Sequence, residues 1–249
     1  MKGRRRVAGL HAVESALRHH PERIVAAWVD TARSDNRLTT LIETLGRQGI
    51  RPQSANRPRL DTLAEGETHQ GIVIELTAPA ELGENELRTA LESLAPMPLF
   101  LVLDHVQDPH NLGACLRTAD AAGVQGVIVT KDQAAGLSPV VAKVASGAAE
   151  AVPLYRVTNL ARTLQWLKEA GLWIVGAAGE APRSVFETDL NLPMALVMGA
   201  EGKGMRRLTR ESCDLLVKIP MAGTVESLNV SVATGVLLYE AVRQRSQSR

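Results

Sequence analysis

The chain has 249 residues, with 45% hydrophobic and only 3% aromatic side chains, and a formal net charge of +1. This composition is ordinary for a globular protein with an aliphatic core, in one large domain or two modest ones. We expect no signal peptide, because no apolar run of signal-peptide length follows the basic N-terminal residues; there is also no run of about 18 apolar residues, and the two cysteines fit no metal-binding spacing. We therefore expect a reduced, cytoplasmic protein that binds neither a membrane nor a metal.

The first part of the chain is basic and alternates between predicted helices and strands. Residues 1–76 contain 12 Lys or Arg against 9 Asp or Glu, a net charge of +3. Hydrophobic periodicity predicts helices over 7–17, 38–46 and 56–63, and strands over 24–29, from 50, and over 69–76. We expect these elements to form a compact α/β domain over residues 1–76.

An acidic stretch follows this domain. Residues 77–98 have a net charge of −3 and include Pro79, Pro96 and Pro98. Proline and charge at this density are typical of a connecting segment. We predict a linker that contains one short helix over residues 84–93.

The second part of the chain, residues 99–249, opens with an unbroken apolar run at 99–103. Such a run is typical of a strand in a parallel sheet with helices on both faces. Further strands are predicted at 126–130, 152–155, 173–177, 195–198 and 215–219, and helices at 111–122, 139–145, 160–169, 204–211 and 228–243. The alternation predicts an open parallel sheet of about five or six strands, whose ligands bind beyond the carboxyl ends of the strands.

Polar residues follow the first of these strands. The predicted helix there buries Leu112, Leu116 and Ala119 and leaves Arg117 off that stripe. Gly113 lies inside the helix, where glycine costs about 1 kcal/mol relative to alanine. We expect the close approach of a ligand or of another backbone to offset this cost. An ordinary surface arginine is the alternative interpretation of Arg117.

Three glycines follow the strand at 195–198, namely Gly199, Gly202 and Gly204. They indicate a backbone that a ligand approaches closely, although their spacing matches neither the dinucleotide fingerprint nor the Walker loop. A basic group comes next, formed by Lys203, Arg206, Arg207 and Arg210. We expect this group to contact phosphate, and a solvated helix face is the alternative, above all for Arg210.

The third strand end is the stretch of residues 219–233. The strand stops at Pro220, the chain turns at Gly223, and a helix is predicted to begin at Leu228, with the hydroxyl of Ser227 as its N-cap. A strand end, a loop rich in backbone donors and a helix N-terminus meet here. That combination binds anions and ligand edges, although an ordinary strand–helix connection has the same outline.

Together, the three strand-end motifs resemble the SpoU (TrmH-like) RNA ribose 2′-O-methyltransferases of the SPOUT class. The motifs are Asn111-x-Gly113-x-x-x-Arg117, then Met198-Gly199-x-Glu201-Gly202-x-Gly204, and then Ile219-Pro220-Met221 through Ser227-Leu228-Asn229-Val230-Ser231. Their order and spacing fit the family over residues 97–245, with no departure at the motif positions. Residues 5–76 resemble the ribosomal-protein-like (L30e-like) substrate-binding domain of one subgroup, which typically carries His69-Gln70-Gly71 near its end.

The resemblance implies a fold, a cofactor and a set of residue roles. The fold is an α/β catalytic domain with an open parallel sheet and a C-terminal trefoil knot, in a homodimer that binds S-adenosylmethionine. The implied catalytic residues are Asn111, Arg117, Glu201 and Asn229. The implied cofactor-binding residues are Met198, Gly199, Gly202, Ile219, Met221, Ser227 and Leu228. The implied RNA contacts are Arg117, Lys203, Arg206 and Arg207.

The motifs most resemble the subgroup that methylates the ribose 2′-OH of a specific guanosine in 23S rRNA, in the peptidyl-transferase region. The implied partner is therefore the 23S rRNA of the large ribosomal subunit precursor. A tRNA ribose 2′-O-methyltransferase of the same family and a non-catalytic RNA-binding protein are the alternatives. Within the site, we expect Asn111 to orient Arg117, and Glu201 and Asn229 to fix the ribose and the loop.

Overall fold

A computed structural model of the protein describes residues 4–33, 35–77 and 82–247. The chain divides into two compact units, Met1–Ala80 and Glu81–Arg249. The first unit contains, in order, β1 (Arg4–Ala8), α1 (Leu10–His19), β2 (Ile24–Val29), α2 (Asn36–Arg47), β3 (Gln53–Ser54), α3 (Arg57–Ala64) and β4 (Ile72–Thr77). A 3-10 turn, Pro21–Arg23, joins α1 to β2.

The first unit is a four-stranded mixed sheet in the order β1-β4-β2-β3. Strands β1 and β2 run antiparallel to β4, and the two-residue edge strand β3 runs parallel to β2. Helices α1 and α2 cover one face, where Val13, Leu45 and Ile74 are buried in one apolar cluster. Helix α3 packs with Trp28 and Val73 in a second cluster. The helix–sheet–helix layering follows from strands whose successive side chains point to opposite faces.

The predicted helix over 7–17 was wrong at its start, because residues 4–8 form β1. The three consecutive arginines hide the strand pattern, and its pairing with β4 is a long-range contact that periodicity does not report. Gly9 separates β1 from α1 with φ 94°, in a region of backbone space that favours glycine. The strand predicted over 24–29 has those bounds, and the other predicted elements of this unit are present with shifted ends.

The second unit begins with α4 (Glu84–Leu91), inside the range predicted as a linker. The fully buried Leu87 belongs to the same apolar cluster as Tyr155 and Leu164. Residues 84–91 are therefore packed onto the second unit, because this helix carries an apolar side chain that the sheet buries. Residues 78–81 of the predicted linker lie outside the described residues.

The second unit confirms the predicted parallel sheet, in the order β7-β6-β5-β10-β8-β11-β9, with every neighbouring pair parallel. It has seven strands rather than the predicted five or six, because the two-residue edge strand β9 is too short for periodicity to detect. Its strands are β5 (Leu99–Asp104), β6 (Gly126–Thr130), β7 (Leu154–Val157), β8 (Trp173–Ala177), β9 (Arg183–Ser184), β10 (Met194–Gly199) and β11 (Leu215–Lys218). Its other helices are α5 (Pro109–Ala121), α6 (Pro139–Ala145), α7 (Ala148–Ala151), α8 (Leu160–Glu169), α9 (Arg207–Glu211) and α10 (Val230–Gln247). A 3-10 turn, Val185–Glu187, follows β9.

Alternate residues of the central strands face two apolar clusters. Leu101 and Leu103 of β5 lie in one cluster with residues of α5, α6, α7 and α10. Phe100 and Val102 lie in the other, with residues of α4 and α8. The unbroken apolar run at 99–103 is thus explained by helices on both faces of the sheet.

The order of the strands in the sheet determines where the site lies. Strands β5, β6 and β7 succeed one another toward one edge, while β10, β8, β11 and β9 occupy the other half of the sheet. The order therefore reverses between β5 and β10, where Asp104 pairs with Gly199 at the carboxyl ends of the two strands. Such a reversal leaves a crevice in which ligands of open α/β sheets bind.

Candidate active site at the carboxyl ends of three strands

Helix α5 carries the first motif beyond β5. The Asp108 side chain caps it by accepting the backbone N–H of His110 at 2.9 Å. As predicted, Leu112 and Leu116 are fully buried and Arg117 is exposed. A Cβ added at Gly113 would lie 2.7 Å from the Cβ of Val144 on the neighbouring helix α6. Of the two expected reasons for this glycine, close approach of another part of the chain is the one observed.

Arg117 and Asn111 point in different directions. The two residues are six positions apart, which rotates their side chains by about 240° around a helix. Arg117 Nη1 donates to Ser146 Oγ at 3.4 Å, whereas the buried Asn111 accepts a hydrogen bond from Asn229. Within the described residues no hydrogen bond joins Asn111 to Arg117, whose described partner is Ser146, and the expectation that Asn111 orients Arg117 stays a prediction.

The loop after β10 carries the second motif and is a tight turn. Ala200 and Gly204 exchange two backbone hydrogen bonds, and Gly202 and Gly204 adopt positive φ angles of 72° and 65°. A Cβ on Gly199 would lie 2.1 Å from the carbonyl carbon of Gly204. The turn itself therefore requires these glycines. This local reason differs from the expected one, which was the close approach of a ligand.

Asp104 and Arg206 fasten this turn to β5. Asp104 is fully buried, and its two oxygens accept the backbone N–H of Arg206 at 2.9 Å and the Arg206 Nε at 2.8 Å. A buried carboxylate needs such partners, because an unpaired charge is costly away from water. Asp104 was not among the predicted site residues. A charged residue at the end of an otherwise apolar strand was the available signal.

The third motif differs from its prediction at the helix start. Asn229, rather than Ser227, caps α10, because its Oδ1 accepts the backbone N–H groups of Ser231 at 2.9 Å and Val232 at 3.4 Å. Ser227 is exposed and lies three residues before the first helical residue, Val230. Asparagine is as good an N-cap as serine, and the helix begins two residues later than predicted.

The same Asn229 side chain joins the three motifs. Its Nδ2 donates to Asn111 Oδ1 at 2.9 Å and to Glu201 Oε1 at 2.5 Å. Both amide hydrogens and the amide oxygen are thereby used within the protein. The predicted catalytic residues Asn111, Glu201 and Asn229 are therefore one hydrogen-bonded cluster, which we call the asparagine–glutamate cluster. Arg117 is exposed and forms no described hydrogen bond to this cluster.

The cofactor-binding residues implied by the resemblance lie on two of these loops. Met198 is buried in the core and Gly199 is half-buried, whereas Gly202 is exposed. Ile219 and Leu228 are half-buried, and Met221 and Ser227 between them are exposed. Within the described part of the chain, the backbone of residues 220–228 forms no hydrogen bond to another residue. This segment therefore offers free backbone acceptors from Pro220 onward and free backbone donors from Met221 onward.

The basic residues after Gly202 are engaged to different extents. Lys203 is exposed and lines the cavity described below. Arg206 is held against Asp104 through its Nε, with 46% of its side chain exposed. Arg207 pairs with Glu211 at 2.7 Å on the surface of α9, and Arg210 pairs with Glu180. Of the three predicted RNA contacts here, Lys203 alone forms no described hydrogen bond or ion pair.

A cavity of about 260 Å³ opens beside the asparagine–glutamate cluster. It is lined by Asn111, Glu201 and Lys203 together with residues that the sequence analysis did not select, namely His105, Val106, Gln107, Asp108, Gln133, Ala200 and Val230. His105 and Gln133 hold positive φ angles of 62° and 53°. Non-glycine residues rarely adopt this conformation, and where they do it often shapes a functional site. No local sequence pattern predicts these positive φ angles.

Neither cysteine is poised for chemistry. Burial raises the pKa of the Cys115 thiol to about 11, and its Sγ lies 3.7 Å from Thr234 Oγ1. Burial, reinforced by the nearby Asp214, raises the pKa of Cys213 to about 12. Over residues 4–33, 35–77 and 82–247 there is no cluster of three or more His, Cys, Asp or Glu placed to hold a metal. Within the same ranges, none of the helices combines the length and apolar character needed to cross a membrane.

Comparisons with known proteins match both units. A family model described as "SpoU rRNA Methylase family" matches residues 98–239. A second model, described as "RNA 2'-O ribose methyltransferase substrate binding", matches residues 6–82. The chain is 56% identical over 244 residues to the 23S rRNA (guanosine-2'-O-)-methyltransferase RlmB of Pseudomonas putida, covering 98% of both chains.

Solved structures of lower sequence identity share the fold. The SpoU methyltransferase AviRb of Streptomyces viridochromogenes superposes with a TM-score of 0.81 at 27% identity, covering 99% of this chain and 91% of AviRb. The structure of AviRb in complex with the cofactor AdoMet superposes with a TM-score of 0.79 at 26% identity, covering 98% and 92% of the two chains.

Proposed function

Because the chain belongs to the SpoU rRNA methylase family, we propose that it transfers the methyl group of S-adenosylmethionine to the ribose 2′-OH of a guanosine in 23S rRNA. The observation that carries this proposal is the asparagine–glutamate cluster, in which one side chain, Asn229, holds Asn111 and Glu201 together. Three strand ends converge on it, beside a cavity open to a substrate. Relatives named as 23S rRNA (guanosine-2'-O-)-methyltransferases support the substrate.

The segment 219–228 fits S-adenosylmethionine by its chemistry. Its free backbone groups can pair with the polar edges of adenine and the amino-acid end of the cofactor. Met221 and the half-buried Ile219 and Leu228 offer apolar surface to the adenine ring and the methionine chain. When bound, the cofactor supplies an electrophilic methyl group. The protein's own part is to place the ribose oxygen and to manage its proton.

Asn229 is best described as a positioning residue. Both of its N–H groups and its oxygen are already used, so it has little left to offer a ribose. Among the described residues, the groups of the cluster that form no described hydrogen bond are the Nδ2 of Asn111 and the second carboxylate oxygen of Glu201. We propose that these two groups bind the ribose hydroxyls. This replaces the expectation that Asn229 contacts the ribose directly.

Arg117 acts as a cation in this account. A guanidinium stays protonated at neutral pH, so arginine is a poor base. An exposed guanidinium can instead hold the adjacent RNA phosphate and stabilise the developing negative charge on the 2′ oxygen. The proton leaves the 2′-OH late, toward the free oxygen of Glu201 and then to water.

The proposal also includes the oligomeric state and the knotted path of the C-terminal segment. We propose a cytoplasmic homodimer in which the C-terminal segment forms the trefoil knot of this class. Two exposed side chains support the dimer. Val232 and Tyr239 of α10 are 53% and 50% exposed, which is unusual for apolar side chains on a helix that packs against α5. Size-exclusion chromatography with light scattering tests the dimer.

The experiment that tests the function is methyl transfer in vitro. Purified protein is incubated with radiolabelled S-adenosylmethionine and either unmodified 23S rRNA or unmodified tRNA. We expect label in 23S rRNA alone. Label in tRNA alone would move the substrate to the other branch of the family, and label in neither RNA would support a non-catalytic RNA-binding protein.

A further inference from the structure

The cavity beside the asparagine–glutamate cluster has polar lining residues that the proposed function does not use. Among the described residues, the side chains of His105, Gln107 and Gln133 form no hydrogen bond to another part of the chain. Asp108 uses one carboxylate oxygen, its Oδ1, to accept the backbone N–H of His110 at 2.9 Å, and its Oδ2 forms no described hydrogen bond. These polar groups are available to a ligand that enters the cavity.

The cavity is built by different loops from the proposed cofactor segment. Its lining residues come from the loops after β5, β6 and β10, from Asn111 of α5 and from Val230 of α10, and residues 219–228 are not among them. In the strand order β6-β5-β10-β8-β11, the first three strands lead into the cavity and the last leads into the cofactor segment. The cavity is therefore left for the nucleotide that receives the methyl group.

The loops after β5 and β6 are fixed to each other before any ligand binds. The backbone N–H of Ala135 donates to the carbonyl oxygen of Val106 at 2.9 Å. His105 and Gln133 hold φ angles of 62° and 53°, a conformation that non-glycine residues rarely adopt. Polar groups that are already in place cost less conformational entropy when they bind a ligand.

The free groups match guanine better than the other bases. The Watson–Crick edge of guanine presents two donors, the N1–H and the 2-amino group, beside the O6 acceptor. A carboxylate oxygen accepts hydrogen bonds and cannot donate them, so the Oδ2 of Asp108 suits these donors, whereas the bare ring nitrogen of adenine or cytosine would repel it. Proteins read the Watson–Crick edge of a base that is turned out into a pocket.

We propose that this cavity holds the guanine base of the target nucleotide, that Asp108 Oδ2 determines specificity by accepting a hydrogen bond from N1–H or the 2-amino group, and that the amide of Gln133 donates to O6. The inference rests on the proposed function, because it takes an RNA ribose as the methyl acceptor. With Asn111 and Glu201 on the ribose, adjoining residues bind the sugar and the base of one nucleoside. A phosphate is disfavoured because two carboxylates, those of Asp108 and Glu201, line the cavity.

Asp108→Asn is the informative substitution. Asparagine caps a helix as well as aspartate does, so the start of α5 should be preserved. The amide oxygen keeps the cap and the amide nitrogen takes the place of Oδ2, so an acceptor becomes a donor. The control is Asp35→Asn, which makes the same change at the N-cap of α2, outside the residues that line the cavity.

The substrates are two 23S rRNA transcripts, one with guanosine and one with adenosine at the methylated position mapped with wild-type protein. The measured quantity is the ratio of kcat/KM for the guanosine transcript to kcat/KM for the adenosine transcript. We expect a wild-type ratio of at least about 100. Asp108→Asn should lower it by at least about 10-fold, because a charge-assisted hydrogen bond to guanine is lost and one to adenine is gained.

The control variant and a second cavity variant keep this test independent of folding. Asp35→Asn should keep the wild-type ratio. Gln133→Ala removes no described hydrogen bond within the protein and should lower the ratio by roughly 2- to 10-fold. A purely structural defect lowers both rates together, so an unchanged ratio in Asp108→Asn and Gln133→Ala would overturn the proposal.

A readout without methyl transfer separates this inference from the proposed function. The imidazole signals of His105, assigned with His105→Ala, are followed by NMR while guanosine or adenosine 5′-monophosphate is added in the presence of S-adenosylhomocysteine. We expect the guanosine nucleotide to shift these signals more in wild-type protein, and the adenosine nucleotide to shift them more in Asp108→Asn.

The two measurements decide the two proposals separately. If wild-type protein methylates 23S rRNA, the kcat/KM ratio decides the inference, and an unchanged ratio overturns the inference alone. If wild-type protein transfers no methyl group to 23S rRNA, the NMR titration decides it. A preference of the His105 signals for the guanosine nucleotide would then mean that the proposed function fails alone, and no preference would mean that both fail.

Discussion

The amide nitrogen of Asn229 lies 2.9 Å from the side-chain oxygen of Asn111, although the two residues are 118 positions apart in the chain. This bond links the start of α10 to α5, and a second bond from the same nitrogen reaches Glu201 on the loop after β10. Strand β11 is separated from β10 by β8, so the chain after β11 must pass the end of β8 to make these contacts. The side-chain amide of Asn229 therefore caps α10 and also links the three motifs of the site.

Substituting Asn229 separates these two roles. In Asn229→Asp the capping oxygen is retained, but the donor is lost and a second carboxylate faces Glu201. In Asn229→Ala both roles are lost. We expect both variants to lose at least about 100-fold in methyl transfer, while the alanine variant also loses about 1 kcal/mol of helix-cap stability. Hydrogen exchange of the first turn of α10 measures the cap, and single-turnover methylation measures the activity.

The Asn229→Asp variant also makes a prediction about pH. Two ionised carboxylates repel each other, so the introduced carboxylate beside Glu201 destabilises the start of α10, and acid weakens this repulsion by protonating carboxylates. The protection of α10 in Asn229→Asp should therefore move toward that of wild type as the pH is lowered. A deficit that is independent of pH would mean that the two carboxylates do not face each other.

Arg117 and Glu201 are predicted to respond differently to conservative change. Arg117→Lys keeps the cation and should retain more activity than Arg117→Ala, whereas Glu201→Gln keeps the shape but loses the proton acceptor and should be slowed by about 100-fold or more. Turnover is measured at saturating cofactor across a pH series. If the lysine variant is no better than alanine at any pH, stabilisation by charge alone does not describe Arg117.

The contact between Asp104 and Arg206 predicts a stability effect close to the site. Asp104→Asn turns one acceptor into a donor that faces the N–H groups of Arg206, so we expect a loss of about 2–3 kcal/mol. The matched control is Arg207→Gln, which breaks an exposed pair with Glu211 and should cost less than about 0.5 kcal/mol. The two variants are compared by urea denaturation, with unfolding monitored through the hydrogen-exchange protection of the 199–206 turn. An equal loss of stability in both variants would contradict the role given to Asp104.

Two glycines inside helices are predicted to give opposite signs on change to alanine. At Gly113 the added Cβ would meet Val144 and the carbonyl oxygen of Val141, 2.9 Å away, so Gly113→Ala should destabilise α5 by about 1–3 kcal/mol. At Gly46 in α2 nothing lies within 4 Å, and Gly46→Ala should stabilise by about 0.5–1 kcal/mol. Hydrogen exchange of each helix is the suitable measurement, since a chain of two units need not unfold in one transition. Two changes of the same sign would refute the packing explanation.

Much of the second unit could be predicted from the sequence, because its signals are local. The apolar run at 99–103 gives a strand covered on both faces, and the motifs after β5 and β10 lie where Asp104 and Gly199 pair. Polar residues at strand ends and a buried helical stripe can be recognised from the local sequence alone. The predicted strands were accordingly confirmed, those at 126–130 and 173–177 with the predicted bounds and the others with ends shifted by one or two residues.

The features that the sequence did not reveal depend on long-range contacts. β1 exists because it pairs with β4 some 70 residues later, which no window along the chain detects. The choice of Asn229 over Ser227 as the cap is settled by its bonds to Asn111 and Glu201. The positive φ angles of His105 and Gln133, and the burial of Asp104, likewise follow from tertiary packing. The trefoil knot and the dimer stay predictions.

The central claim is that the asparagine–glutamate cluster directs methylation to a ribose oxygen. The most direct measurement is alkaline hydrolysis of radiolabelled 23S rRNA after reaction, because a 2′-O-methyl group blocks cleavage at its own phosphate and leaves the label in an alkali-resistant dinucleotide. We predict that the label appears in one such dinucleotide, with 2′-O-methylguanosine at its 5′ position, and that Glu201→Gln protein produces almost none of it. Label released as a mononucleotide, which marks a methylated base, would contradict the account.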